Sequence, residues 1–228
     1  MNEPKHKRTV RSFVRREGRL TPGQQKALDT YLPLYGFGPE MGMQDLSQLF
    51  GREADTVLEI GFGMGASLLE LAAANPATNY IGIEVHRPGV GALLKGVGEL
   101  GLSNLRVATE DAKEILAQCI PDNSLACVQI FFPDPWPKKR HHKRRLVQQP
   151  FVELIISKLK PGGTLHIATD WQNYAEHCLE ILQNCSGLSN CAGEQLYIPR
   201  PESRPMTKYE RRGERLGHGV WDMLFAKR

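Results

Sequence analysis

Five acidic residues fall at or just past the ends of short apolar runs: Glu59, Glu84, Asp111, Asp134 and Asp170. Carboxylates placed this way can hold a cation, accept from hydroxyls and amines, or stabilise charge that moves in a reaction. Glu59 opens the segment Glu59-Ile60-Gly61-Phe62-Gly63-Met64-Gly65, whose glycines permit a tight turn with N–H groups open to a ligand. No Gly-Lys-Ser/Thr follows, which excludes a P-loop. Glu84 suits both hydroxyls of an unphosphorylated ribose, because it repels a 2′-phosphate. Asp111, with the N–H of Ala112 beside it, suits an adenine amine. An acid in the position of Glu59 sits poorly beside a pyrophosphate and well beside a sulfonium and an ammonium. These residues favour methyl transfer from S-adenosylmethionine over hydride transfer from a dinucleotide.

Residues 131–145 read FFPDPWPKKRHHKRR. Asp134 and Trp136 lie between prolines, which fix φ and restrain the residues before them. A stiff acid beside an aromatic suits a planar base, held in place at low entropic cost. The run from Lys138 to Arg145 holds six Lys/Arg and two His and no acid, which suits nucleic-acid phosphates.

These residues need a scaffold that brings strand ends together. TVLEI (56–60), NYIGIE (79–84), LRVAT (105–109), LACVQIFF (125–132) and TLHIAT (164–169) read as strands. Helices are expected over 66–74, 88–100, 112–119, 146–159 and 171–184, with a PGG turn at 161–163. GVWDMLFAK reads as a last strand, paired with one near 194–198. Alternation at this spacing predicts a mostly parallel, doubly wound α/β sheet, in which ligands sit at the carboxyl ends of the strands. Residues 1–20 are expected to be mobile, and 21–50 to form a partly ordered extension with a weak apolar pattern around Ala27 to Leu34. The expected boundary between extension and domain is therefore 50/51.

The chain has 228 residues, enough for one such domain, and the start MNEPKHKRTVRSF lacks an apolar signal region. A soluble cytoplasmic protein is expected. Net charge is only +4, but cations cluster: seven Lys/Arg over residues 5–19, the 138–145 run, and Arg204, Lys208, Arg211, Arg212 and Arg215. Such clusters point to a polyanion. The five cysteines show no metal-ligand spacing and are expected to be free thiols; no metal is expected.

EIGFGMG (59–65), GIEVH (82–86), GLSNLRV (101–107), FFPDPWPKKRHHKRR (131–145), ATDW (168–171), SRPMTKYERRG (203–213) and LGHGVWDM (216–223) together resemble the bacterial tRNA (guanine-N7)-methyltransferase family. The resemblance implies a doubly wound, mostly parallel seven-stranded sheet of the Rossmann-like S-adenosylmethionine-dependent type, with an N-terminal extension. It implies methylation of guanine 46 in the tRNA variable loop. It assigns Glu59, Gly61, Gly63, Gly65, Glu84, Asp111 and Asp134 to the cofactor, and Asp134 also to catalysis. Lys138, Asp170, Thr207, Lys208, Tyr209 and Glu210 become substrate contacts. Arg140, His141, His142, Lys143, Arg144 and Arg145 become RNA contacts. Three other readings stay open: a methyltransferase acting on another RNA or guanine atom, a dinucleotide oxidoreductase, and a non-catalytic RNA-binding protein. No obligatory protein partner is implied, and monomer and homodimer are equally compatible with the sequence.

Overall fold

The computed structural model describes residues 18–193, 196–202, 204–206, 210 and 219–228. Seven strands form one sheet in the order β3-β2-β1-β4-β5-β7-β6. They are β1 (Thr56–Ile60), β2 (Asn79–Ile83), β3 (Leu105–Ala108), β4 (Leu125–Phe131), β5 (Leu159–Thr169), β6 (Leu188–Asn190) and β7 (Trp221–Lys227). β1 to β5 pair in parallel, and β7 runs antiparallel between β5 and β6. The strand order reverses between β1 and β4, and a doubly wound sheet opens its ligand crevice at that point. Glu59 on β1 and Asp134 just past β4 therefore flank the crevice.

The helices are α1 (Pro22–Tyr35), α2 (Leu46–Phe50), α3 (Ala66–Ala74), α4 (Arg87–Leu100), α5 (Ala112–Cys119), α6 (Gln149–Lys158) and α7 (Gln172–Asn184). One core cluster gathers α1, α3 and α4 through Leu28, Leu68, Leu93 and Val97. A larger one gathers α5, α6 and α7 through Ile115, Ile155 and Leu179. Among the described residues no helix is long and apolar enough to cross a membrane.

Sequence and structure differ at four places. Residues 22–50 are more ordered than their weak pattern suggests. Thr21 and Gln24 form a reciprocal capping box at the start of α1. The helix then lies against α4, where a Cβ on Gly98 would stand 2.2 Å from the Tyr31 ring. Phe37 N–H donates to Val107 on β3, tying the extension to the sheet edge. The helix expected at 146–159 begins at Gln149, because the basic run takes up a 3-10 turn (Lys139–Arg144) and Leu146 and Val147 turn toward the interior. The PGG segment belongs to β5 as a bulge: Leu125 pairs Leu159, but Cys127 already pairs Thr164. The outer partner of β7 is β6 at 188–190, and among the described residues near 194–198 an isolated bridge joins Ile198 to Asp222.

Candidate active site

Backbone geometry builds one half of the crevice. After β1 the chain turns through Gly61 and Gly63 at φ 80° and 59°, a region that penalises a side chain. A Cβ at either position would meet nothing within 4 Å, so open space faces the turn. Glu84 fastens it: one carboxylate oxygen accepts from Gly63 N–H at 2.9 Å, the other from His86 N–H at 2.9 Å. Glu59 is buried, and its Oε2 has no hydrogen-bond partner among the described residues. Burial first, and then the charge of Glu84, pushes its carboxyl up to about 7. A buried acceptor without a donor is costly. Together with the open glycine turn, it fits a ligand that carries a cation.

At the end of β3 the two neighbouring acids divide their work. Asp111 is the N-cap of α5, its Oδ1 accepting from Lys113 N–H at 2.9 Å. Glu110 lines the crevice, together with Gly61, Glu84, Phe131 and Asp134. Sequence reading passed over Glu110. The signal was available, since Asp is among the favoured N-cap residues and Glu is not.

The other half is built from side chains. Phe132 and Trp136 hold φ of 51° and 44°, which costs a bulky residue on the order of 1–3 kcal/mol. The corner is held in that shape by Phe132 N–H donating to Ala168 on β5 and by Arg145. Asp134 lies between the two strained residues, exposed on the crevice wall.

Arg145, expected as an RNA contact, faces inward. It is 2% exposed. Its Nε donates to the Pro135 carbonyl at 3.0 Å and its Nη2 to Asn173 Oδ1 at 2.7 Å, while the guanidinium covers the Tyr174 ring at 5.0 Å. Committed to these partners, it braces the corner and presents nothing to a phosphate. His142 also turns inward, its ring 3.1 Å from Arg145. Trp136 is packed by the same run, with Arg144 over its ring at 5.1 Å and His141 edge-on at 5.8 Å. Lys138, Lys139, Arg140 and Lys143 stay exposed.

Asp170 follows β5, exposed, with the 43%-exposed Trp171 beside it. Thr207, Lys208 and Tyr209 lie outside the described residues. Glu210 is buried against Arg204, which sequence reading counted only among the surface cations. Arg204 donates to both Glu210 oxygens at 2.7 and 2.6 Å, and to both Asp222 oxygens at 2.8 and 2.9 Å. Asp222 in turn meets His166 at 2.8 Å. The Arg204 guanidinium lies over Phe131 and Phe132, at 5.8 and 5.6 Å. One arginine thus ties Glu210 to β7 and to the corner that carries Asp134.

A family described as "Putative methyltransferase" matches residues 53–223. A tRNA (guanine-N(7)-)-methyltransferase from Alcanivorax borkumensis is 62% identical over 97% of this chain and 92% of its own length. One from Idiomarina loihiensis is 61% identical over 97% and 90%. The chain belongs to the tRNA (guanine-N7)-methyltransferase family. Its fold is shared more widely. The 16S rRNA methyltransferase KamB aligns with a TM-score of 0.57 at 15% identity, over 81% of this chain and 94% of its own. The aminoglycoside resistance methyltransferase NpmB1 aligns at 0.52 and 18%, over 80% and 92%. At such identities the likeness is one of architecture. Membership of the family rests on the sequence match, which spans both halves of the crevice.

Proposed function

We propose that this protein transfers a methyl group from S-adenosylmethionine to N7 of a guanine in tRNA, at position 46 of the variable loop, in the cytoplasm. The observation that carries the reading is the buried carboxylate oxygen of Glu59, unpaired among the described residues, beside an open glycine turn whose Gly61 lines a crevice together with Asp134. The cofactor supplies an electrophilic methyl on a sulfonium. Glu59 is placed to hold the cationic amino-acid end, Glu84 the ribose hydroxyls, and Glu110 and Asp111 the adenine side. Gly61 and Gly63 give the ligand room, while Gly65 lets the turn close against Leu93 of α4.

Guanine N7 carries an in-plane lone pair and no proton, so no base is needed to create the nucleophile. The task of the chain is alignment, and its carboxylates stabilise the charge that moves onto the base. Asp134, on its strained corner, is the residue we assign to that centre. Lys138, Asp170, Thr207, Lys208 and Tyr209 are assigned to the acceptor nucleotide, and Glu210, held by Arg204, to anchoring their segment. The exposed Arg140 and Lys143 beside Lys138 are assigned to tRNA phosphates. We regard residues 1–50 as a basic extension of a methyltransferase domain that spans 51–228.

The test is incubation with unmodified tRNA and labelled S-adenosylmethionine, followed by mapping of the methylated nucleotide. Label at N7 of guanine 46 is the expected result. Label on another atom or another RNA, or no transfer, overturns the reading.

A further inference from the structure

Glu59, Gln129 and His166 are neighbours across three parallel strands, with Glu59 paired to Gln129 and Gln129 to His166. Residues paired in register point to the same face, and adjacent strands lie about 4.8 Å apart. The three polar side chains therefore form a row on one side of the sheet. At one end, His166 is satisfied by Asp222 at 2.8 Å. At the other end, two acceptors are not satisfied. Glu59 Oε2 and Gln129 Oε1 are both buried, and neither has a hydrogen-bond partner among the described residues.

Orphaned buried acceptors are rare in folded chains, and each costs the desolvation of the group. In the ligand-free chain a protonated Glu59 can donate its one hydrogen to Gln129, but only by giving up the negative charge; once the carboxylate is charged, both oxygens need a donor from outside the pair. With Glu59 charged, both acceptors on these paired residues are met by one donor group that carries at least two N–H. A primary ammonium carries three donors on one atom and matches both acceptors and the charge. The row also lies where such a group is needed. Glu59 precedes the glycine turn, and Phe131, on the same face of β4 as Gln129, lines the crevice.

We infer that Gln129 is a ligand-binding residue: its amide oxygen, with the Glu59 carboxylate, receives the ammonium of the amino-acid tail of the methyl donor. The inference deepens the functional reading above and rests on it. It makes the Glu59–Gln129 pair the feature that separates the complete donor from nucleoside fragments without an amino-acid tail. The amide adds acceptor capacity without a second negative charge, which so close to Glu59 would favour protonation of the pair.

The test is calorimetric and independent of turnover. S-adenosylhomocysteine and 5′-methylthioadenosine share the nucleoside, and only the first carries the ammonium and carboxylate. In Gln129→Met, which keeps the volume and removes the amide, affinity for S-adenosylhomocysteine is expected to fall about tenfold. Methylthioadenosine affinity should stay within about twofold, which also reports that the fold is intact. Gln129→Asn, with a shorter reach, should fall between wild type and Gln129→Met. Unchanged S-adenosylhomocysteine affinity in Gln129→Met, or equal weakening of both ligands, overturns the assignment. If Gln129→Met binds neither ligand, Gln129→Asn decides on the same criterion. Wild-type protein that binds neither ligand overturns the functional reading itself.

Discussion

The glycine turn after β1 and the proline-rich corner after β4 sit on adjacent strands, and different chemistry holds each of them. Main-chain geometry makes the turn: positive φ at the glycines, and one carboxylate, Glu84, tying two backbone N–H groups. The acid we propose for it, Glu59, is buried without a full set of partners among the described residues. Inward-facing arginines make the corner: Arg145 beneath Pro135, and Arg204 against Phe131 and Phe132. The acid we propose for it, Asp134, is exposed. A site that receives a small ligand of fixed shape can be pre-formed by backbone and left with an unmet bond for the ligand to complete. A site that receives part of a large polyanion needs an open acid on a rigid mount, with the mounting charges hidden from the phosphates. Damage to the first half should appear as lost cofactor affinity, and damage to the second as lost turnover or lost stability.

The largest effect should come from Asp134→Ala. Alignment of the acceptor is expected to fail, lowering kcat/KM for tRNA about 100-fold or more. Filter-binding affinity for tRNA should stay within about threefold, because phosphate contacts supply most of it. Activity of Asp134→Ala within about threefold of wild type would sink the division of labour between the halves.

Glu59 gives the next effect, through pH. Its carboxyl is raised from 4.5 to about 7 by burial and then by Glu84, so the folded chain favours the protonated form. Its contribution to stability is full below about 4.5 and is lost as pH rises through 7. Relative to Glu59→Gln, ligand-free wild type should lose roughly 2–3 kcal/mol of stability between pH 5 and 8, read from urea melts. A bound ammonium reverses the preference, so S-adenosylhomocysteine should raise Tm more at pH 8 than at pH 6. Parallel pH profiles for wild type and Glu59→Gln would show that the buried acid is satisfied in some other way.

Within the basic run, Arg145 and its exposed neighbours should part company. Arg145→Met removes a charged donor from Pro135 and Asn173 and should cost about 2 kcal/mol in urea unfolding. It should leave the salt dependence of tRNA binding unchanged. Arg140→Ala and Lys143→Ala should do the reverse: stability unchanged within about 0.5 kcal/mol, and the log–log salt slope reduced by about 1 for each. An altered slope in Arg145→Met would mean that the buried guanidinium reaches phosphate after all.

How far the sequence foretold these two halves follows from what each is made of. Backbone features leave marks in composition, and the strand ends, the glycine turn and α5 lie where runs and spacing put them. α1 was faint because Pro33 lies within it and it packs on Gly98 of α4, where no apolar side chain marks the contact. The inward arginines were illegible for another reason. Arg140 and Arg145 look alike in sequence, and only tertiary partners such as Asn173 and Tyr174 decide which one faces solvent. Glu110 and Asp111 show a milder case, in which helix-capping preference could have separated two neighbouring acids. The family resemblance reached the site without settling such directions, because a motif records residue types and not where long side chains point.

Trp136 should give the smallest effect, and it tests the comparison at its weakest point. An aromatic beside Asp134 invites a base-stacking role, yet Arg144 covers one region of the ring and His141 meets it edge-on. Its indole N–H is buried without a partner among the described residues. Trp136→Phe weakens a cation–π contact worth about 0.5–1 kcal/mol. It also removes an unpaired donor whose burial costs roughly 1–3 kcal/mol. The two terms oppose each other, so stability should move by no more than about 1 kcal/mol, in the direction of a small gain. Loss of a base stack, by contrast, costs about 1–3 kcal/mol per base and falls on binding rather than folding. A tRNA Kd raised about tenfold at unchanged stability would therefore make Trp136 a contact, and the corner would then bind RNA through the same side chains that brace it. With Kd unchanged, Trp136 belongs with Arg145 as part of the mount, and Asp134 is what the corner exists to present.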